Sequence, residues 1–565
     1  MVNRPFNRMS DAIILPPKYY LAYFDYLAEF VRSMYGHLLR DDELQFLEAY
    51  QRLPEDPRCL FIRMSNRKGL YFKTSSLSYA EIEDPDRAIR YLTEAGFAKK
   101  PGDDLPGDIT PVLEMLTKSD LLEVTAALGP VIMPAKSIKK PDLTRWLLHE
   151  YDAGTLIAAI LESADIVQVE HADTVALIKF LFFGNHNDDM TEFVIRDLGH
   201  VRFQSFDEES LSRKFESRKE IDDALLVAYL KDTFSGMVQT RSPQEIYEWF
   251  SLNHAEISGS LSATVVPALD RLVLKVAGWA ERSKLYASAL DLYHLISVPP
   301  ARERKARLLY KLGYGEEAAS LCLEMTGSPQ NADELYFGKD FYEKISRSKK
   351  RVIRQTTLAL HDADVITLPV ACRYQVEAGA AHHFMEEGYG AFFSENVPWR
   401  SIFGLLFWDI IYDTNVQAIH HPLQRVPSDF FLPDFYQKRE HMLRERIGCF
   451  SSPEEIKDVL IAAFEEKFGI TNVLVGWHEA LLDQVLTITR LLSVDQLRLV
   501  LMEMATDLKD KTRGFPDLLI WKDDYYSFVE IKSPTDHLSA RQLYWQHFFR
   551  EIGISSRIVR VRWDI

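Results

Sequence analysis

Three residues near the C-terminus, Asp517, Glu530 and Lys532, have types and spacing that could do chemistry. They lie in two apolar, β-prone runs that flank Lys522–Tyr525, a segment typical of a hairpin turn. A turn centred between residues 523 and 524 places Asp517 opposite Glu530, with Cβ atoms about 4.5–5.5 Å apart. Because side chains two apart share a strand face, Lys532 is expected beside Glu530.

This arrangement of charges predicts metal-assisted phosphodiester hydrolysis. Two neighbouring carboxylates repel each other unless a cation lies between them. Oxygen ligands suit hard divalent ions such as Mg²⁺ or Mn²⁺, and a lysine beside the metal can orient or deprotonate a water. The alternative is an ordinary hairpin with a cross-strand charge cluster, since Glu-x-Lys strings also occur at Glu303–Lys305 and Glu465–Lys467.

The elements around the hairpin indicate an α/β sheet. A helical pattern over Leu538–Phe549 and a strand pattern over Ile558–Arg562 follow it. Upstream, Glu395 precedes the apolar run Trp399–Ile411, which is long enough for a buried helix. A glutamate there could project into the site from outside the hairpin; alone, it is an acid favourable to a helix dipole.

Composition is ordinary for a folded protein, with 47% hydrophobic and 26% charged residues. A net charge of −17 argues against a uniformly basic nucleic-acid surface, although local basic grooves remain compatible with it. The 4 scattered cysteines fit neither a zinc pattern nor a disulfide framework. With no signal-peptide pattern and no apolar run of membrane length, we expect a cytoplasmic protein.

The chain is expected to hold several domains. Residues 1–75 read as a small accessory domain, in which Cys59–Met64 and Leu70–Lys73 are predicted strands. Residues 76–160 contain two amphipathic helices joined by a basic connector, which resembles a SAP-type DNA-binding module. A helical hairpin with a solvated basic loop is the alternative. The basic residues that would contact a DNA backbone there are Lys136, Lys139, Lys140 and Arg145.

Residues 161–369 show successive helical patterns that suggest a TPR-like array, a scaffold that can hold a partner or guide DNA. A cationic patch from Arg302 to Arg307 favours a solvated helix face over a DNA contact. The basic run at the end of this array, with Lys349 and Arg351, reads equally well as part of a DNA path or as a solvated linker. Residues 370–565 form the last domain, in which Lys509 and Arg513 lead into the hairpin.

The C-terminal residues resemble the VRR-nuclease version of the PD-(D/E)xK fold. The resemblance rests on the segments Gly514–Trp521, Phe528–Pro534 and Asp536–Ser539. The run from Glu395 through Phe403–Ile411 is similar to the segment that precedes this domain in the Fanconi-associated nuclease family. A multidomain, mostly α chain, with a SAP-like module, a TPR-like array and then an α/β nuclease domain, matches that family in order, as a bacterial-type member.

The resemblance implies a nuclease acting near 5′ flaps in branched DNA, as endonuclease and 5′-to-3′ exonuclease, with a role in interstrand-crosslink repair. It implies Asp517, Glu530, the Ile531 carbonyl and Glu395 as metal ligands, and Lys532 as the residue that assists the attacking water. Gln542 would support the site from the following helix. Repair proteins are possible partners through the helical domain, and no membrane is expected. The alternatives are a non-catalytic scaffold and an RNA-processing nuclease.

Overall fold

The protein is mostly helical, with an α/β sheet near its C-terminus, as the sequence predicts. The structure, a computed structural model, describes residues 14–101, 109–130, 134–135, 137–347 and 352–564. It divides into an N-terminal unit, residues 9–201, and a C-terminal unit that begins at Arg202. None of the helices in these ranges is long and apolar enough to cross a bilayer.

The N-terminal unit consists of helices around a small sheet. Its helices are α1 (Tyr19–Tyr35), α2 (Asp41–Arg52), α3 (Glu55–Ser65), α4 (Pro85–Glu94), α5 (Thr110–Met115), α6 (Lys118–Leu128), α7 (Lys140–Glu150), α8 (Ala153–Ser163), α9 (Ala172–Phe183) and α10 (Thr191–Asp197). Its strands are β1 (Tyr71–Lys73), β2 (Ala98–Lys99) and β3 (Ile166–Val169), and β3 lies between the other two, antiparallel to both.

The predicted strand at Cys59–Met64 is wrong, because these residues lie in α3. Cys59, Leu60, Phe61 and Ile62 are all buried. A short apolar run that is buried all round has no helical periodicity, so its pattern does not distinguish helix from strand. The domain boundaries proposed for this part of the chain remain predictions, and the small sheet joins segments on both sides of residues 75 and 160.

The two helices of the SAP-like segment form as predicted, as α6 and α7. Thr117 caps α6 through a capping box with Asp120, and Gly129 ends the helix in the left-handed conformation. Leu121, Leu143 and Leu147 are fully buried in one apolar core, so the two helices do present leucine faces to each other. Assignment of this pair to the SAP type remains a prediction.

The helices of the C-terminal unit form an array, which is followed by the helices of the sheet-containing part of the chain. Those of the array are α11 (Arg218–Met237), α12 (Pro243–Ile257), α13 (Val266–Arg282), α14 (Tyr286–His294), α15 (Ala301–Leu312), α16 (Gly315–Gly327) and α17 (Ala332–Ser346). Those that follow are α18 (Gln355–His361), α19 (Val376–Glu386), α20 (Val397–Leu406), α21 (Trp408–Ile411), α22 (Asp434–Gly448), α23 (Pro453–Lys467), α24 (Leu481–Leu491), α25 (Val494–Thr506) and α26 (Ala540–Glu551).

In the array, each helix from α13 to α17 packs on the next one along the chain. The prediction of a solvated cationic face is wrong for Arg302, which is buried and forms an ion pair with the buried Glu334. Its guanidinium also donates to the Ser328 carbonyl (2.9 Å). Arg302 therefore ties α15 to α17, which a spacing argument on one helix cannot foresee.

A mixed sheet of five strands organises the end of the chain, in the order β4 (Asp364–Pro369), β8 (Ser556–Asp564), β7 (Tyr525–Lys532), β6 (Leu518–Lys522) and β5 (Gly390–Phe393). The pairs β4–β8 and β8–β7 are parallel, whereas β7–β6 and β6–β5 are antiparallel. The predicted hairpin is thus the centre of the sheet, and the predicted C-terminal strand is its parallel neighbour.

Apolar side chains cover both faces of this sheet. On one face, Ala380 and Phe384 of α19 share a core with Leu518 and Val529. On the other face, an aromatic cluster joins α20 and α26 to the hairpin; its members are Trp399, Phe515, Phe528, Trp545 and Phe549. The hairpin is therefore rigid, as a chemical site requires.

Candidate active site

The predicted register of the hairpin is confirmed. Leu518 pairs with Val529 and Lys522 with Tyr525 around the turn at residues 523 and 524. Continued by one residue, this register sets Asp517 opposite Glu530. The Nζ atom of Lys532 lies 2.6 Å from Glu530 Oε1, so the three predicted side chains meet at the end of β7.

Glu530 is a buried carboxylate whose charged partner is the Lys532 ammonium. It is 0% exposed, and within the described residues neither of its oxygens has another hydrogen-bond partner. Burial, and then the charge of Asp517, raise the pKa of Glu530 well above its ordinary value. Burial alone would lower the pKa of Lys532, but the Glu530 and Asp517 carboxylates raise it.

Asp517 is also buried, and its burial raises its pKa from 3.8 to about 6. The Ile531 N–H donates to Asp517 Oδ2 (2.7 Å), which acts in the opposite direction, as does the charge of Lys532. Glu395 and Glu377 raise the pKa further through their negative charges. Glu377, in the first turn of α19, is an acidic neighbour of the site to which sequence reasoning assigned no role.

Pro516 explains how a backbone carbonyl becomes accessible next to these acids. The hairpin register sets Pro516 opposite Ile531, and a proline has no N–H to donate across the ladder. The N–H of Ile531 points toward β6, where Asp517 accepts it, and in a strand the carbonyl of the same residue points the same way. If the register continues to residue 516, the Ile531 carbonyl receives no ladder hydrogen bond from Pro516, which has no N–H.

This donor set fits a hard divalent cation. Two carboxylates and a carbonyl supply oxygens only, and the single Lys532 ammonium leaves the pair of buried acids with a net negative charge that a divalent cation would offset. No three acidic, histidine or cysteine side chains converge as a metal-ligand group in the part of the chain that the structure describes. Glu395 is exposed in the turn between β5 and α20, and its charge acts on both acids.

The predicted DNA-binding residues have different surroundings. Lys136, Lys349 and Arg351 lie outside the described residues. Lys139 is exposed, whereas Lys140 donates to the Glu114 carbonyl (2.6 Å) and Arg145 pairs with Asp142 (2.6 Å). Lys509 and Arg513 are exposed. Burial, together with the charge of Arg513, lowers the pKa of Arg400, which shows that a second cation lies near the start of the hairpin.

Gln542 acts in the capping box of α26. Its Oε1 accepts the Ser539 N–H (2.9 Å), and its own N–H donates to Ser539 Oγ (3.2 Å). This box starts the helix next to Gly514, which has φ +88°. A Cβ on Gly514 would come within 2.8 Å of Arg541 Cβ, so only glycine lets the segment before Asp517 pass so close to α26.

Comparison with known proteins relates this site to nucleases. A family model described as the VRR-NUC domain matches residues 451–563, and one described as the FAN1 HTH domain matches residues 18–99. A Fanconi-associated nuclease 1 homolog of Pseudomonas aeruginosa is 28% identical over 97% of this chain and 96% of its own length. The Arabidopsis thaliana homolog is 26% identical over 97% of this chain, which corresponds to 67% of that protein.

Solved structures agree over nearly the whole chain. The structure of paFAN1 bound to 2nt 5′-flap DNA with a gap superposes with a TM-score of 0.82 at 25% identity, covering 98% of this chain and 99% of that one. Human Fanconi-associated nuclease 1 aligns more narrowly, over 34% of this chain and 20% of its own length. The strands β4 and β5 lie outside the matched VRR-NUC segment, yet they complete its sheet.

The sheet, its paired acids and the matched domain define a nuclease of the VRR-NUC class, within the PD-(D/E)xK fold. Nucleases with this domain generally use divalent metal ions. The match extends beyond the catalytic domain to both ends of the described chain. The chain carries matches to the FAN1 HTH and VRR-NUC domains, and it is similar to the bacterial Fanconi-associated nuclease 1 homolog along nearly its full length.

Proposed function

We propose that the protein is a metal-dependent DNA nuclease that hydrolyses phosphodiester bonds near 5′ flaps, as an endonuclease and a 5′-to-3′ exonuclease. The observation that carries this proposal is the buried Asp517–Glu530–Lys532 group in a chain that aligns end to end with a flap-bound relative. Its cellular role would be DNA repair, with interstrand crosslinks as the lesion. A cytoplasmic or nucleoid location remains a prediction.

Asp517, Glu530 and the Ile531 carbonyl would hold the metal, and Glu395 would add a fourth ligand from its turn. The donor set favours Mg²⁺ or Mn²⁺. When bound, the ion supplies Lewis-acid stabilisation of charge on the phosphate and a more acidic water. Lys532, whose ammonium is kept protonated by the two acids, can orient the attacking water and donate to a phosphate oxygen.

Local positive charge supports a DNA path toward this group. Arg513 is exposed, and within the described chain no carboxylate forms an ion pair with it. Arg400 lies close enough for the two guanidinium groups to repel each other. A phosphate between two such cations would relieve that repulsion and gain charge-assisted hydrogen bonds. Lys509 lies on the same approach to the hairpin, and Lys139 is a separate candidate in the N-terminal unit.

The experiment is cleavage of end-labelled 5′-flap, 3′-flap and plain duplex DNA, with a matched RNA, by the purified protein. We expect cleavage of the 5′-flap substrate with Mg²⁺ or Mn²⁺ and none with EDTA. Asp517→Ala should abolish it while preserving folding and DNA binding. Asp524→Asn, an exposed acid in the turn of the same hairpin, is the matched control and should retain full activity.

Each alternative function predicts a different outcome of this experiment. A non-catalytic scaffold would cut none of the substrates, with or without metal. An RNA-processing nuclease would prefer the matched RNA. Equal cleavage of all three DNA substrates would contradict flap specificity, and wild-type cleavage by Asp517→Ala would contradict the site.

A further inference from the structure

The turn that carries Glu395 has an unfavourable backbone conformation. Asn396 has φ +43° and ψ −54°, a region that residues other than glycine seldom occupy. The Val397 N–H donates to the Glu395 carbonyl across the turn, as in a γ-turn of positive φ, which is the rare and strained form. Strained backbone persists where the surrounding contacts over-determine it, and such positions cluster at functional sites.

The side chain of Asn396 connects the two acidic segments. Its Nδ2 donates to Glu395 Oε1 (2.8 Å), and its Oδ1 accepts the N–H groups of Gly514 (2.8 Å) and Phe515 (3.3 Å). Gly514 and Phe515 lead directly to Asp517. The Asn396 amide therefore holds the Glu395 carboxylate with its nitrogen, and it holds the backbone that leads to Asp517 with its oxygen.

The segment that Asn396 grips is itself fixed. Gly514 packs against the backbone of α26, and Trp545 Nε1 donates to the Arg513 carbonyl (3.1 Å). On the other side of Glu395, the Ser394 N–H donates to the Asp517 carbonyl (2.8 Å). Glu395 is thus exposed but attached on both sides to the strand that bears Asp517.

We propose that Asn396 is a positioning residue that sets the Glu395 carboxylate toward the metal held by Asp517 and Glu530. The proposal rests on the proposed nuclease function. Asparagine suits the role because it tolerates positive φ and offers both a donor and an acceptor. Glycine would adopt the turn without the amide. Aspartate would keep the acceptor oxygen but would place a second negative charge beside Glu395.

These properties allow the role of the amide to be separated from that of the backbone. Asn396→Gly relieves the unfavourable φ but removes the acceptor of the Gly514 and Phe515 N–H groups, so its two effects on the unfolding midpoint in EDTA oppose each other. The same variant should bind Mn²⁺ roughly 10-fold or more weakly, the usual loss when a group that orients a metal ligand is removed. Asn396→Asp keeps the acceptor for Gly514 and Phe515 but cannot donate to Glu395, so weaker Mn²⁺ binding despite its added negative charge would support the donor role.

The experiment is a titration of the full-length protein with Mn²⁺, followed by electron paramagnetic resonance of the free ion. It compares the wild type with Asn396→Gly, Asn396→Asp, Glu395→Gln and the double variant Glu395→Gln/Asn396→Gly. If Asn396 acts through Glu395, the double variant should bind Mn²⁺ no more weakly than Glu395→Gln alone. In flap cleavage, Asn396→Gly should lower kcat and leave the KM for DNA within about 2-fold.

Two results would overturn the proposal: unchanged Mn²⁺ binding by Asn396→Gly, or additive losses in the double variant. If the wild type binds Mn²⁺ but cleaves no nucleic acid, the proposed function is contradicted. The positioning role of Asn396 is still tested by the Mn²⁺ titration.

Discussion

Replacing Asp517 by asparagine should stabilise the metal-free protein while removing its activity. Asp517 is 7% exposed, and burial favours its protonated form. At neutral pH the folded protein must therefore carry an unfavourable buried charge that the unfolded chain carries in water. Asparagine is nearly isosteric, is neutral at every pH, and its oxygen can still accept the Ile531 N–H.

The magnitude follows from the shift in pKa. A rise from 3.8 to about 6 means that ionised Asp517 destabilises the metal-free fold by about 3 kcal/mol above pH 7. Because the pKa of Asp517 is higher in the folded protein than in the unfolded chain, the destabilisation grows as the pH rises. At pH 5 it falls to about 1.6 kcal/mol, and below the unfolded pKa it vanishes. Loss of repulsion on Glu530 acts in the same direction.

The assay is urea unfolding of the wild type and Asp517→Asn in EDTA between pH 5 and pH 8, repeated with Mn²⁺. In EDTA the variant should be the more stable protein, by a margin that increases with pH. Mn²⁺ at 100 times its Kd should add about 2.7 kcal/mol to the wild type and much less to the variant. Asp524→Asn should behave as the wild type throughout.

An Asp517→Asn variant that is less stable than the wild type in EDTA, or more stable by a margin that does not depend on pH, would refute this reasoning. The first result would mean that the carboxylate makes contacts that asparagine cannot replace. The second would mean that its charge is not the cause.

Three further predictions concern other buried charges. Lys532→Ala should lower flap cleavage by roughly 10²–10⁴-fold, measured under single-turnover conditions, with the fold intact by circular dichroism. Burial lowers the pKa of His420 from 6.5 to about 4, so its contribution to stability is present above pH 6.5 and is lost as the pH falls. The loss from His420 should be about 2 kcal/mol by pH 5, and His420→Gln should reduce the slope in urea unfolding by that amount, while the buried His421 keeps its own contribution. Glu334→Ala should destabilise the fold by about 3 kcal/mol, because it removes the buried carboxylate partner of Arg302 and leaves only the more exposed Glu324 and the Ser328 carbonyl. Arg302→Met/Glu334→Leu should be far less disruptive in the same assay.

The centre of the site could be predicted from the sequence because a short hairpin has little freedom. Strand alternation and a two-residue turn determine which side chains meet, and the register at Leu518 and Val529 follows from them. The terminal strand and α26 are also periodic enough to predict. In contrast, β4 pairs in parallel with β8 across nearly the whole nuclease domain, and no local pattern encodes such a partner.

Side-chain partners were the harder part to predict. Lys140 and Arg145, counted as free for DNA, have local acceptors, and Gln542 caps a helix. The role of Asn396 depends on contacts with Gly514 and Phe515, more than 100 positions away. The sequence around Asn396, a polar residue before an apolar run, does not predict these contacts. The effect of Pro516 could have been predicted from the sequence. In the predicted register it lies opposite Ile531, and a proline has no N–H to donate to the Ile531 carbonyl.

The most direct test of the account is single-turnover cleavage of a 5′-flap substrate in Mn²⁺ by the wild type, Glu530→Gln and Asp524→Asn. Loss of a metal ligand should cost several kcal/mol of transition-state stabilisation, which corresponds to roughly 100-fold or more in rate. The account predicts this loss for Glu530→Gln, with Asp524→Asn at the wild-type rate. Cleavage by Glu530→Gln at the wild-type rate would contradict the claim that the buried acids of this hairpin perform the chemistry.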